Sequence, residues 1–256
     1  MSALLEAAGL NLRFGAVRAL DDVAISIWPG EVVAIVGESG SGKSSLLRVL
    51  AGMQRADAGV VFYRDAAGAT HSILDASDAA LRRLMRSDWG FVHQNARDAL
   101  RMEISAGGNV GERLMAAGNR HYGHIREVAA HWLERVEMDP ARIDESPKNF
   151  SGGMQQRLQI ARTLVTNPRL VFMDEPTGGL DVSVQARLLD LIRGLVADLG
   201  LAVLLVTHDI AAARLLAHRI VVMRNGAVVE EGLTDRVLDD PQHPYTQLLV
   251  SSVLAA

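Results

Sequence analysis

The chain has 256 residues, of which 49% are hydrophobic and 22% are charged, an ordinary composition for a globular protein rather than a disordered one. The formal net charge of −4 gives no general reason to expect a nucleic-acid partner, and the lack of cysteine excludes disulfides, thiolate zinc sites and cysteine-ligated iron–sulfur clusters within the chain. No apolar stretch approaches the roughly 20 residues of a membrane helix, and the N-terminus lacks a signal-peptide pattern, so we expect a cytoplasmic protein.

The first part of the chain shows strand patterns around a glycine-rich loop. Alternating apolar residues predict a strand at 23–27, and after a Pro-Gly turn a wholly apolar run predicts a buried strand at 32–36. Glycine-rich residues 37–42 follow, and then a short helix that runs from Lys43 to Gly52. Beyond it the pattern predicts a strand at 59–63, a polar helix near 77–87 and a strand at 89–94.

Residues from about 96 to 166 have a helical pattern, and strands alternate with helices again after them. Strands are predicted at 169–175 and 201–206, helices at about 183–199 and 209–217, and an Asn-Gly hairpin turn follows. We therefore predict one α/β domain, 1–256, with a mainly parallel sheet core formed by 1–95 and 167–256. This core has an antiparallel β part at its N-terminus and carries an inserted helical subdomain at about 96–166.

The loop between the second predicted strand and the first helix has the sequence GESGSGKS (37–44), which fits the phosphate-loop pattern G-x-x-x-x-G-K-[ST]. Glycines allow successive backbone N–H groups to converge on phosphate oxygens, and the helix N-terminus adds positive potential. Lys43 would neutralise the β- and γ-phosphates, and the Ser44 hydroxyl would complete the shell of a Mg²⁺ ion. A ligand-free turn is the alternative. Lys43 argues against a ligand-free turn, because only two of the 26 basic residues are lysines and one of them stands at the position that the motif requires.

Polar side chains follow three of the predicted strands, where the carboxyl ends of parallel strands line a ligand crevice. Asp174 ends an apolar strand and can reach the Mg²⁺, while Glu175 could orient or deprotonate the attacking water. His208 follows the next buried strand, which places it near the γ-phosphate. Gln94 ends the strand before the helical insert, where a neutral amide can touch both metal and water.

Two further features point to a nucleotide. Phe14 is an aromatic residue in a polar segment and could stack on adenine, although a surface or core phenylalanine is the alternative. Ser151 can cap a helix whose first residues are Gly152 and Gly153, which makes a second anion-binding helix start. Two phosphate-recognition elements in one chain suggest that one nucleotide is sandwiched between two copies.

With the phosphate loop, Gln94, Ser-Gly-Gly (151–153), MDEPT, GGLD and LVTHD in this order, essentially the whole chain resembles an ABC-type ATPase. In that family two nucleotide-binding domains close head-to-tail, which implies that Ser151 and Gly153 of one copy contact the γ-phosphate held by the other copy. The resemblance also implies that Gly178 to Asp181 form the crossing loop at the dimer seam. It assigns catalysis to Lys43, Glu175 and His208, and metal binding to Ser44, Gln94 and Asp174. The implied ATP contacts are Phe14, Gly37, Ser39, Gly40, Gly42, Lys43, Ser44, Ser45, Ser151, Gly153 and Asp181.

Four segments, 89–94, 105–123, 174–191 and 233–253, resemble the ATP-binding subunits of bacterial carbon–phosphorus lyase systems. This implies an ATPase of phosphonate breakdown that uses ATP and Mg²⁺, pairs with a second copy of itself, and has the soluble lyase core complex as its partner. The tail HPYTQLL is shared in kind with peptide and nickel importer ATPases, which leaves open an importer subunit seated on membrane permease subunits. A nucleotide-responsive clamp with incidental hydrolysis is also open. Met154 departs from the family pattern, in which glutamine usually follows Ser-Gly-Gly.

Overall fold

The computed structural model describes residues 2–254, with side chains described up to Ser252. The described residues form ten strands and nine α-helices. The strands are β1 (Leu5–Phe14), β2 (Val17–Ile27), β3 (Val32–Val36), β4 (Ala58–Arg64), β5 (Thr70–Ser72), β6 (Trp89–Val92), β7 (Leu170–Asp174), β8 (Ala202–Val206), β9 (Arg219–Arg224) and β10 (Ala227–Leu233). The helices are α1 (Lys43–Leu50), α2 (Asp78–Ser87), α3 (Ala106–Ala116), α4 (Tyr122–Arg135), α5 (Gly152–Leu164), α6 (Val182–Leu199), α7 (Ile210–Leu216), α8 (Thr234–Asp239) and α9 (Pro244–Leu254).

The first of two compact units comprises the described residues of Met1–Leu81 and Gly200–Ala256. Its N-terminal strands form an antiparallel sheet in the order β2-β1-β4-β5. The sequence predicted the antiparallel character of this part but not the order of its strands. In its other sheet β3 pairs in parallel with β8 and β9, and β10 is antiparallel to β9. Every residue of β3 and β8 is buried, which is typical of parallel strands covered on both faces. Since Ile35 pairs with Val206, the carboxyl ends of β3 and β8 lie side by side.

The second compact unit is Arg82–Leu199. Strands β6 and β7 pair in parallel within it, with Val92 opposite Met173. Helices α3, α4 and α5 pack on one another, and α4 buries Ile125, Ala129 and Trp132 at helical spacing. The limits 96–166 for a helical subdomain stay a prediction, and the unit that contains these helices is longer than that range.

The structure differs from the predicted elements mainly at their ends. β6 ends at Val92 rather than at 94, because side chains of α5 bind the backbone of the next residue. The His93 N–H donates to Gln159 Oε1 at 2.8 Å, and the His93 carbonyl accepts from Gln156 at 3.1 Å and from Gln159 at 3.0 Å. These bonds replace those that a continuing strand would make.

The ten-residue strand β1 was not predicted as one strand. A shift in register between Ala7 and Leu10 interrupts its alternation of apolar residues. Gly9, between them, has a φ of +64°, a conformation that glycine adopts without strain. The buried residues on the two sides of this bulge therefore do not follow a single period of two.

None of the helices in residues 2–254 combines the length and the apolar character that crossing a membrane requires.

Candidate active site

The phosphate loop leaves β3 and leads into α1 within the first unit. Its glycines at 37 and 42 have φ angles of +149° and +104°. A Cβ at Gly37 would collide with the Met223 carbonyl oxygen, and one at Gly42 would collide with the Ala19 carbonyl oxygen. The loop therefore runs so close to neighbouring backbone that no side chain fits at these two positions. Glu38, Ser39 and Gly40 form the exposed part of the loop.

Lys43 begins α1 and is 94% buried, with a relative exposure of 6%. Its Nζ atom donates hydrogen bonds to the carbonyl oxygens of Gly37 and Glu38, both at 2.8 Å. A buried ammonium group needs such acceptors, because an unpaired charge in the interior is costly. The lysine side chain thus lies along the inside of the loop, beside the N-terminus of α1.

The N-terminus of α1 has no side-chain cap, because its N-cap residue is Gly42 in the left-handed conformation. Ser44 and Ser45 are the second and third residues of the helix. An uncapped helix start presents backbone N–H groups and the positive end of the helix dipole, which together favour a bound anion. Loop, lysine and helix start thus lie together in an arrangement that would suit a bound anion.

His208 lies in the same unit, in the short turn between β8 and α7. Because β3 and β8 are parallel neighbours, this turn leaves the same edge of the sheet as the phosphate loop. The Asp209 N–H donates to Thr207 Oγ1 at 3.0 Å, and the Asp209 carboxylate accepts from the N–H groups of Ala211 and Ala212 at 2.8 and 3.1 Å. The backbone on both sides of His208 is therefore fixed.

Phe14 ends β1 and its side chain is 52% exposed. It pairs with Val17 across the turn to β2, and that side chain is 65% exposed. Burying an aromatic ring of this kind under a flat apolar ligand is favourable, since both surfaces leave water.

Gln94, Asp174 and Glu175 belong to the second unit, and the structure brings two of them into contact. Asp174 is the last residue of β7, and Glu175 and Gln94 come after β7 and β6, so all three lie at the same edge of this parallel pair. The Gln94 side-chain amide donates to Glu175 Oε2 at 3.3 Å. Glu175 has a φ of +45°, which is unusual for a residue with a side chain and is a form of backbone strain found at functional sites. Asp174, at the end of β7, is buried.

Ser151 is the N-cap of α5, and its Oγ atom accepts from the Met154 N–H at 3.4 Å. Gly153 lies against α6, where an added Cβ would lie 2.6 Å from a methyl carbon of Val184. The Met154 sulfur accepts a hydrogen bond from the Arg142 guanidinium at 3.3 Å. The methionine that departs from the family pattern is thus held by an arginine of its own unit.

Asp181 caps the start of α6, close to Gly153. Its carboxylate accepts from the Ser183 hydroxyl at 2.7 Å and from the Val184 N–H at 3.0 Å. These hydrogen bonds lower the pKa of Asp181 below its usual value, because they stabilise the ionised form. Since Val184 contacts both Gly153 and Asp181, the predicted anion site and the predicted crossing loop form one surface.

The predicted site residues are divided between the two units. One group lies in the first unit: Phe14, Gly37, Ser39, Gly40, Gly42, Lys43, Ser44, Ser45 and His208. The other group lies in the second unit: Gln94, Ser151, Gly153, Asp174, Glu175, Gly178 and Asp181. Within each group the structure places the residues on neighbouring elements, and their joint roles are proposals.

Two residues that support the site were not singled out from the sequence. Gln156 and Gln159 of α5 are buried, and they hold the backbone of His93, the residue before Gln94. The available signal was the run QQRLQ, which places amides on a helix face that also carries buried apolar residues. Amides on such a face need hydrogen-bond partners.

The family described as ABC transporter matches residues 20–178. A protein of Escherichia coli (strain K12), named phosphonates utilization ATP-binding protein PhnK, is 60% identical over 251 residues, which cover 98% of each chain. A peptide import ATP-binding protein of Brucella melitensis biotype 1 is 39% identical over 93% of this chain and 72% of its own length.

Two solved structures are similar to this chain. The dimeric ATP-binding cassette MJ0796, in a post-hydrolysis state bound to ADP and Pi, has a TM-score of 0.80 and 30% identity, over 90% of this chain and 98% of its own. CbiO1 from Clostridium perfringens, part of the ABC transporter complex cbiONQ, has a TM-score of 0.82 and 26% identity. It covers 94% of this chain and 92% of its own. These likenesses confirm the predicted fold class.

Proposed function

Because this chain belongs to the ABC transporter ATPase family, we propose that it binds ATP and hydrolyses it to ADP and phosphate, with Mg²⁺ as the metal. The observation that carries the proposal is the phosphate loop, in which the buried Lys43 lies against the loop carbonyls at the uncapped start of α1. Lys43 and the loop N–H groups would neutralise the β- and γ-phosphates, and the exposed ring of Phe14 would stack on adenine.

The residues proposed for the metal fit Mg²⁺ by their chemistry. Ser44 offers a hydroxyl, Gln94 an amide oxygen and Asp174 a carboxylate, and Mg²⁺ prefers oxygen ligands of these kinds. When bound, the metal neutralises charge on the phosphates.

Glu175 is the proposed general base. The amide of Gln94 holds one of its carboxylate oxygens, which fixes the direction in which the carboxylate points. A positioned carboxylate can take a proton from water as that water attacks the γ-phosphate. His208 is proposed to hold the γ-phosphate from the end of β8, the strand that pairs with β3, and the bonds of Asp209 keep its backbone in place.

A second copy of the chain is the first proposed partner. Ser151 and Gly153 stand at the start of α5 and would contact the γ-phosphate bound by the other copy, with Asp181 beside them at the seam. The dimeric state of the similar cassette MJ0796 supports this arrangement. Each nucleotide would then contact both copies, so closure of the dimer and hydrolysis would depend on each other.

The proposed setting is phosphonate breakdown. The 60% identity to the phosphonates utilization protein of Escherichia coli extends over 98% of both chains, and it supports the assignment to a carbon–phosphorus lyase system. The partner would be the lyase core complex. An importer subunit seated on membrane permease subunits is the second candidate, favoured by the 39% identity to a peptide import protein.

The substitution Glu175→Gln tests the proposal. It keeps the size of the side chain and removes the base, so ATP hydrolysis should fall at least about 100-fold while ATP binding persists. Size-exclusion chromatography with light scattering should then show a dimer that forms with ATP and Mg²⁺. The control is Glu127→Gln, which makes the same charge change at an exposed position of α4 and should leave hydrolysis unchanged. Hydrolysis at the wild-type rate in Glu175→Gln would contradict the assignment.

The same variant distinguishes the two settings. Tagged Glu175→Gln, incubated with ATP in an extract of cells grown on a phosphonate, should retain lyase core subunits from the fraction without membranes. Recovery with membrane proteins alone would instead favour the importer. Protein mass spectrometry of the retained material identifies which outcome holds.

A further inference from the structure

The helix α9 contacts the phosphate loop through the side chain of Tyr245. Tyr245 belongs to the HPYT sequence at the start of this helix, and it is buried, with 3% of its surface exposed. Its hydroxyl oxygen accepts a hydrogen bond from the Glu38 N–H at 2.9 Å, across 207 residues of sequence. The guanidinium of Arg224 covers the tyrosine ring, 4.8 Å from its centre.

The peptide group that Tyr245 binds is also the one that holds the catalytic lysine. The Gly37 carbonyl, which accepts from Lys43 Nζ at 2.8 Å, and the Glu38 N–H, which donates to Tyr245, belong to the same planar unit. One end of this unit is thus fixed by the lysine and the other end by the tyrosine. Rotation of the peptide would break both hydrogen bonds at once.

The start of α9 is itself anchored. The Glu230 carboxylate of β10 accepts from the N–H groups of Gln242 and His243 at 2.8 and 3.0 Å. His243 Nδ1 accepts from the Tyr245 N–H at 3.1 Å. These bonds join β10, the residues before α9 and the tyrosine backbone into one support for the ring.

We infer that Tyr245 is a positioning residue of the phosphate loop, which sets the orientation of the Gly37–Glu38 peptide and thereby the location of the Lys43 ammonium group. The nucleotide affinity of this chain would then depend on the docking of α9. The part of this inference that concerns nucleotide affinity rests on the proposed ATP binding, whereas the part that concerns the peptide does not.

The variant Tyr245→Phe tests the inference, because it removes the hydroxyl and keeps the ring. An unpaired Glu38 N–H would allow the peptide to rotate, so the dissociation constants of ADP and ATP should rise about fivefold or more. In nuclear magnetic resonance of the full chain, hydrogen exchange of the Glu38 amide should accelerate about tenfold. The urea midpoint should change little, because the variant keeps the buried ring. A merely structural role of the ring would leave the nucleotide dissociation constants and the Glu38 exchange unchanged as well. Tyr122→Phe, at a 74% exposed tyrosine of α4, is the matched control.

Unchanged ADP affinity together with unchanged exchange at Glu38 would overturn the inference. If the wild-type chain failed to bind ADP, the proposed function would fail, and the exchange measurement would still decide whether Tyr245 holds the peptide. If Tyr245→Phe does not fold, Glu230→Gln serves as the second test variant, because it loosens the support of α9 without altering the tyrosine. It should weaken ADP binding in the same direction, and full ADP affinity in that variant would overturn the inference.

Discussion

At the scale of single residues, glycines of the phosphate loop have different reasons to be glycine. Gly40 and Gly42 both have left-handed φ angles, +81° and +104°. An added Cβ at Gly40 would meet nothing within 4 Å, whereas one at Gly42 would collide with the backbone of Ala19. Backbone conformation alone requires the first glycine, while both conformation and packing require the second.

Alanine substitutions separate these two reasons. Gly40→Ala should lower the free energy of unfolding by about 1 kcal/mol, the cost of a side chain in the left-handed region. Gly42→Ala should lower the free energy of unfolding by about 1–3 kcal/mol more than Gly40→Ala does, because the backbone of β2 must also move. Urea unfolding followed by circular dichroism measures both values. Equal losses in the two variants would show that the contact with Ala19 does not constrain the loop.

At the scale of elements, side chains at helix starts decide how the functional loops are held. Asp209 caps α7 next to His208, and Asp181 caps α6 beside the glycines of α5. Glu230 serves α9 in a similar way from a neighbouring strand. In each case a carboxylate accepts at least one backbone N–H group that would otherwise lack a partner, which orders a segment of the proposed site.

The anchor at Glu230 makes the stability of the chain depend on pH. Burial alone would raise the pKa of Glu230, but hydrogen bonds that stabilise its ionised form, among them those from the N–H groups of Gln242 and His243, outweigh it and lower the pKa below its ordinary value of 4.5. The folded chain therefore binds a proton here less readily than the unfolded chain. The stabilisation is complete above the ordinary pKa and is lost as the pH falls through the lower, folded value.

Glu230→Gln should accordingly be less stable than the wild type by about 1 kcal/mol near pH 7, since a hydrogen-bonded carboxylate is replaced. The difference should shrink as the pH falls below 4.5 and the wild-type carboxylate is protonated. Urea unfolding at a series of pH values checks this, with Glu127→Gln as the exposed control. A difference that stays constant down to pH 3 would show that the charge of Glu230 plays no part.

At the scale of the whole molecule, the start of α5 gains its proposed role from a second copy. Its Ser151 and Gly152 are exposed, and Gly153 is fixed against α6. A helix start that is exposed, rich in glycine and held by its own unit is suited to bind an anion presented by another chain.

Ser151→Arg tests this role. The large side chain should block closure, so ATP-dependent dimerisation and hydrolysis should both be lost. ATP affinity of each monomer should stay within about twofold, as expected for an independent site. Light scattering and calorimetry measure the two quantities.

Loss of the cap in Ser151→Arg should cost about 1 kcal/mol, too little to unfold the chain. Ser87→Arg, at an exposed serine that ends α2, is the control and should dimerise normally. A Ser151→Arg chain that still dimerised with ATP would refute the sandwich arrangement.

The sequence by itself determined the features that depend on neighbouring residues. The strand at 32–36 and the helix that begins at Lys43 were predicted correctly, because a buried run followed by glycines and a helical pattern is a local signal. The order of the motifs was enough to identify the family and its fold. The exact end of β6 was not predictable, because glutamines 63 and 66 residues away set it.

Only the tertiary structure decided which distant groups hold the motifs in shape. The carbonyl groups behind Gly37 and Gly42 belong to β9 and β2, and the hydroxyl that binds the Glu38 N–H comes from α9. No periodicity or motif spacing in the sequence predicts these contacts, because each depends on how distant strands and helices pack against one another. A phosphate loop can therefore be recognised from eight consecutive residues, while the rigidity that lets it hold a lysine in place comes from residues up to 207 positions away.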